Sequence, residues 1–258
     1  MTPYGIWISF YTIVRKDVKR MLRIWSQTFL PSAVTSVLYF LVFGSVIGNR
    51  IGEFDGVSYM QFIVPGLVML AVVTNAFSNV AMTFFQSKFF GRNIDELLVS
   101  PTPPWIIIAG YVAGGMVRGV LVGIVVLLVS LFFAILPFAH PLIIALFLCI
   151  SSIIFALGGL VNGIYAKSFD GITIVPTFVL TPLVYLGGVF YSVSALPSWW
   201  QGLTYANPIF YLINGFRYGF LGITDVSLSL SLWVLCGLTV ILIAINWYLL
   251  KTGLGLKQ

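Results

Sequence analysis

Long uncharged runs alternate with short polar breaks along most of this chain, but the first apolar positions come in steps. Ile6, Trp7, Phe10, Ile13, Val14, Val18, Met21, Leu22 and Trp25 recur three and four residues apart. That period predicts a helix over 4–25 with one apolar side. Arg15, Lys16, Lys19, Arg20 and Arg23 fall largely on the other side, so the helix is expected to lie in the membrane surface with its cations wet. A first span follows within Ile24–Asn49. The polar stretch 49–58 separates it from a second span starting near Tyr59, and 86–104 is polar again. A third span ends before "PFAHP" (137–141), whose prolines mark a tight return. A fourth covers about 142–164, a fifth runs from Ile172 to Tyr191, and the last lies within Val226–Leu250.

Between the fifth and last spans, "SALPSWWQGLTYANP" (194–208) holds two prolines, a tryptophan pair, a glutamine and an asparagine. Irregular backbone in hydrocarbon leaves polar groups unpaired at several kcal/mol each. Residues 193–222 therefore read as an outer-face re-entrant hairpin: two short helices broken at Asn207-Pro208, with Arg217 ending the returning arm and reaching headgroups or water. The expected fold is an all-α polytopic membrane protein, a single domain over 1–258. It has six transmembrane helices, an N-terminal amphipathic interfacial helix and this hairpin.

Composition sharpens the picture. The chain is 60% hydrophobic and 8% charged, against about 25% charged in soluble domains. Six helices of roughly 20 residues use nearly all of it, so no soluble catalytic domain fits, and no cleavable leader is expected. The charges sort by side. Ten basic residues fall with the N-terminus, the last of them Lys88, Arg92, Lys167, Lys251 and Lys257, against Arg50 and Arg217 opposite. Both termini are thus expected in the cytoplasm. Basic residues beside apolar runs mark orientation in a bilayer, so nucleic acid is not an expected partner and membrane lipid is.

Candidate chemistry is sparse. His140 has no acidic or cysteine neighbour in sequence, Cys149 and Cys236 sit in apolar runs, and no phosphate-cradling Gly-x-x-x-x-Gly-Lys motif occurs. An intrinsic enzyme, a metal site or a cofactor of its own is not expected. Asn75 and Asn79, one turn apart, face either a polar pathway or a neighbouring helix. Arg118 is either a functional intramembrane charge or, on a helix from Trp105 to Leu136 that overshoots the bilayer, a snorkelling residue near the inner boundary; the second is the reading taken. Gly115, Gly119 and Gly123 recur every four residues, a spacing for close helix packing. "RNIDELLVSPTP" (92–103) offers a short inner-face helix stopped by its prolines, suited to be pushed by a soluble partner.

The stretch "LTPLVYLGGVFYSVSALPSWWQGLTYANPIFYLINGFR" (180–217) resembles the signature of ABC type-2 exporter permeases. Leu180, Leu183, Leu186, Gly187 and Val189 fill its first part; Leu196-Pro197, Pro208, Ile209, Tyr211 and Arg217 follow at permitted spacings. The resemblance implies a permease that forms a homodimer and works with two copies of a separate ABC ATPase, which holds ATP and Mg2+, in a bacterial inner membrane. It implies that 4–25 is a connecting helix, that 88–99 is the coupling helix with Arg92, Asp95 and Glu96 toward the ATPase, and that Pro208, Tyr211 and Arg217 belong to an outer gate. Asn75, Asn79, Phe178 and Tyr185 are candidates for a substrate path. The alternative function is a self-contained secondary transporter; it wants intramembrane carboxylates, and the acidic residues here fall outside the expected spans.

Overall fold

The computed structural model describes residues 2–48, 53, 54, 56–90, 100–193 and 196–256, and it is mostly helical. Helix α1 (Pro3–Arg23) is separated from α2 (Trp25–Tyr39) at the single residue Ile24, and α2 continues as a wider π-helix over Phe40–Ile47. A two-residue antiparallel ladder pairs Glu53 with Ser58 and Phe54 with Val57. Ser58 then caps α3 (Tyr59–Phe89): its hydroxyl accepts from the Gln61 backbone N–H while the Gln61 side chain accepts from the Ser58 N–H. Next come α4 (Pro104–Ser130), α5 (Pro141–Tyr165), α6 (Phe169–Val175), a π-turn (Pro176–Leu180) and α7 (Thr181–Tyr185). Two short helices, α8 (Ser198–Tyr205) and α9 (Pro208–Leu221), precede the last one, α10 (Leu228–Thr252).

Among the described residues five helices are long and apolar enough to cross a membrane: Trp25–Gly44, α3, α4, α5 and α10. The segment expected as the fifth span is shorter, Phe169–Tyr185, and the chain turns after it. Its middle is π-helical beside Pro176 and Pro182. A proline lacks the N–H that a regular ladder needs, and here the Thr181 N–H and hydroxyl both reach back to the Pro176 carbonyl. The third span also ends early. Helix α4 stops at Ser130, so its length is about 40 Å, and residues 131–140 form turns and an extended return.

Helix α3 is the centre of the bundle. Most of it from Tyr59 to Phe85 is buried, against α4, α5 and α9, and the side that carries Thr74, Asn75 and Ser78 stays partly open. Glycines set the spacing. A Cβ on Gly159 of α5 would lie 2.2 Å from the Phe77 carbonyl oxygen, and one on Gly163 would lie 2.9 Å from that of Ala81. Side chains at Gly115, Gly119 and Gly123 of α4 would strike Val80, Ser152 and Val72. Helix α10 buries few residues; one of them, Asn246, donates to the Leu157 carbonyl of α5. The return at 137–141 docks on the end of α9, with the His140 N–H donating to Gly219 O (2.8 Å) and its ring stacked on Tyr218.

Candidate functional site

Helix α1 packs one side against α4. Arg15, Lys16, Lys19 and Arg23 are exposed, whereas Asp17 is buried and Arg20 turns toward the bundle. The approach is possible because Gly110 and Gly114 leave the start of α4 bare: a Cβ on Gly114 would meet the Asp17 carboxylate at 2.3 Å, and one on Gly110 would meet Ile13 at 2.8 Å. Asp17 then accepts from Arg20 Nη2 (2.9 Å), Asn79 Nδ2 (2.8 Å) and the Thr83 hydroxyl (3.3 Å). Arg20 also donates to Gln86 Oε1 (2.8 Å), to the Thr83 hydroxyl and to Asn79 Oδ1 (3.1 Å). From α4, Arg118 donates Nη1 to the same Asn79 oxygen at 3.1 Å. The snorkelling reading of Arg118 is therefore corrected: its guanidinium points into the bundle, and its Nε is buried with no hydrogen-bond partner among the described residues.

Beside this cluster lies a cavity of about 340 Å³ between α2 and α3, with Arg118 in its wall. Its polar lining comes from one stripe of α2 (Gln27, Thr28, Ser32, Thr35, Ser36, Tyr39) and a facing stripe of α3 (Thr74, Asn75, Ser78). Leu67, Leu70, Ala71 and Pro31 supply apolar patches. Leu30, Val34 and Leu38 on the other side of α2 are exposed, as lipid-facing residues are. Asn75 donates to Ser32 Oγ (3.1 Å) and so ties the two walls together. Near the α2 end of this groove, the Tyr39 and Tyr185 hydroxyls lie 2.9 Å apart.

The far end of the bundle is organised by Arg217, and there a second expectation fails. Arg217 is 3% exposed and does not reach water or headgroups. Its Nη2 donates to the Gly188 carbonyl (2.7 Å), its guanidinium carbon sits 3.8 Å from the Phe62 ring centroid, and Nη1 is 3.8 Å from Asp225 Oδ2. The positive φ of Gly188 (80°) belongs to the turn that presents this carbonyl. At the start of α9, the Asn207 side chain accepts from the Ile209 N–H (3.0 Å) and donates to the Leu183 carbonyl. Pro208 occupies the first helical position, where a missing N–H costs nothing.

Residues 8–221 match the ABC-2 type transporter family. The chain belongs to that family. It is 53% identical to the inner membrane transport permease YadH of Escherichia coli K12 over 98% of both chains. It is 27% identical to nodulation protein J of Rhizobium leguminosarum bv. viciae, covering 89% of this chain and 90% of that one, and 23% identical to nodulation protein J of Rhizobium meliloti, over 96% and 94%. This ABC-2 chain is accordingly the membrane subunit of an ABC transporter, a multi-pass protein of the inner membrane that partners an ABC ATPase.

Within the ABC-2 fold the expected path residues are not all neighbours. Asn75 lines the groove. Asn79 is instead locked between Asp17, Arg20 and Arg118, and Tyr185 touches the groove through Tyr39. Phe178 is 73% exposed and is not among the residues that line this cavity. Tyr211 is buried, with its hydroxyl donating to the Tyr205 carbonyl (2.8 Å), which closes α8 against α9. Arg92, Asp95 and Glu96 lie outside the described residues. The sequence reading missed Asp17 and Arg20 as a bundle contact. Its signal was a lone acid among five cations, facing a Gly-x-x-x-Gly pair at the start of α4 and an Asn-x-x-x-Thr step on α3.

Proposed function

We propose that this chain is the export-directed half of an ATP-driven pump, moving a lipid, glycan or drug-like cargo outward across a bacterial inner membrane. Two copies form a homodimer and each engages one ATPase, which holds ATP and Mg2+; this chain binds neither. In this reading the segment Phe169–Tyr185 and the turn after it complete six crossings, and both termini are cytoplasmic. Helix α1 is the connecting helix, and the segment 88–99 couples to the ATPase through Arg92, Asp95 and Glu96. The 193–222 hairpin is re-entrant from the outer face, with Pro208, Tyr211 and Arg217 in an outer gate.

The observation that carries this reading is the hydroxyl-lined groove between α2 and α3 in an otherwise apolar bundle. Helix packing alone does not require a cavity of this size lined by two facing polar stripes, whereas a path for a partly polar cargo does. The secondary-transporter alternative gains little from Asp17. Although buried, its carboxylate is already engaged by three donors, one of them an arginine, and so serves as a contact between α1 and the bundle.

The test is charge reversal at the inner face. In complexes reconstituted with the ATPase, Asp95→Lys with Glu96→Lys is expected to abolish ATPase copurification or cargo-stimulated hydrolysis, while helicity and elution profile stay those of the wild type. Unchanged copurification and hydrolysis would count heavily against the coupling role.

A further inference from the structure

Among the described residues, the guanidinium groups beside the groove outnumber the carboxylates. Two guanidinium groups, Arg20 and Arg118, meet one carboxylate, Asp17. Arg20 holds that carboxylate directly at 2.9 Å, together with Asn79 and Thr83. Arg118 is left with a neutral amide oxygen on Nη1 and no partner on Nε among the described residues. Arg118 is partly buried and shares its nearest carboxylate with a second arginine, which leaves it donors to spare, and a guanidinium presents a rigid fork of donors shaped for an oxyanion.

We propose that Arg118 is an anion-recognition residue of the groove, and that its ligand is an amphiphile with a phosphate-type headgroup. The inference rests on the groove being the cargo path and deepens it by naming a substrate class. Around Arg118, the hydroxyls and amide of Ser32, Thr35, Ser36, Thr74, Asn75 and Ser78 supply further donors to headgroup oxygens. The volume of about 340 Å³ accommodates a headgroup rather than a whole lipid. Acyl chains have an apolar surface to follow within the same lining, formed by Pro31, Leu67, Leu70 and Ala71. The neighbouring guanidinium, Arg20, is committed to Asp17, Thr83 and Gln86, so the remaining anion-binding capacity falls to Arg118.

Native mass spectrometry of the purified full-length protein tests this, with phosphatidylglycerol and phosphatidylcholine of identical chains as probes. The wild type is expected to hold phosphatidylglycerol about tenfold more tightly, the size of one charge-assisted hydrogen bond. Arg118→Gln is expected to bring the ratio to about one, and Arg118→Lys to retain part of the preference. Should the glutamine variant fail to fold, Ser78→Asp, on the exposed wall of the same cavity, is expected to lower the ratio without touching Arg118. A wild type without preference, or a preference that survives both Arg118→Gln and Ser78→Asp, would overturn the proposal. Displacement of phosphatidylglycerol by equimolar inorganic phosphate would overturn the amphiphile assignment. The path itself is tested separately by Thr35→Trp, which narrows the cavity. If cargo-stimulated hydrolysis survives that change while Arg118 still selects the anionic lipid, the path reading fails and the anion site stands.

Discussion

Arg217 is the one charge on α9 and Asp17 the one acid on α1, and each is buried against partners remote in sequence. For Arg217 the partners are the Gly188 carbonyl, the Phe62 ring and Asp225. Arg217→Glu places a carboxylate against that carbonyl and beside Asp225, at a cost of about 3–5 kcal/mol, the range for breaking a buried pair. Thermal melting in detergent is expected to show a large loss of stability for Arg217→Glu and little for Arg50→Glu; equal tolerance at both positions would contradict the account. Such positions were only partly legible in the sequence. Its pattern located Arg217 at the end of a broken helix, but a one-dimensional pattern cannot tell a charge that meets water from one that meets a carbonyl 29 residues away. Asp17 was hidden for the same reason, since its donors Asn79 and Thr83 lie on a helix 62 and 66 residues on. Arg118 was hidden likewise, since its partner Asn79 lies on another helix 39 residues back.

The helices themselves were readable, because apolar runs longer than a bilayer and proline-marked breaks are local properties. What the runs do not encode is how closely two helices approach. Gly159 and Gly237 look alike in sequence, each a glycine inside an apolar helix. Gly159 lies against the α3 backbone, whereas a Cβ on Gly237 of α10 would meet nothing within 4 Å among the described residues. Gly159→Ala is expected to cost about 1–3 kcal/mol through overpacking, whereas Gly237→Ala is expected to be neutral or to gain about 0.5–1 kcal/mol from helix propensity. Unfolding midpoints of the two variants check this, and a reversed order would refute the close α3–α5 contact. At the end of α3, Lys88 donates to the Ile164 carbonyl of α5 (3.0 Å) and to the Gly255 carbonyl beyond α10. Three helices are thereby pinned at the end of α3, next to the segment proposed to couple to the ATPase. Lys88→Met is expected to weaken coupling, read as cargo-stimulated ATP hydrolysis falling with ATPase copurification intact; unchanged stimulation would reduce Lys88 to a helix cap.

At the scale of the whole molecule, an apolar bundle surrounds a polar groove, the charged helix α1 is docked beside its floor, and the partner engine belongs to another chain. In the proposed reading, energy enters at the inner surface, where that chain docks. The most direct measurement is the mass and ATP turnover of the complex purified through this chain from native membranes. The account predicts two permease and two ATPase chains, with hydrolysis that is lost when Asp95 and Glu96 are both changed to lysine. A chain that purifies without an ATPase, and that concentrates a solute on its own in proteoliposomes, would contradict it.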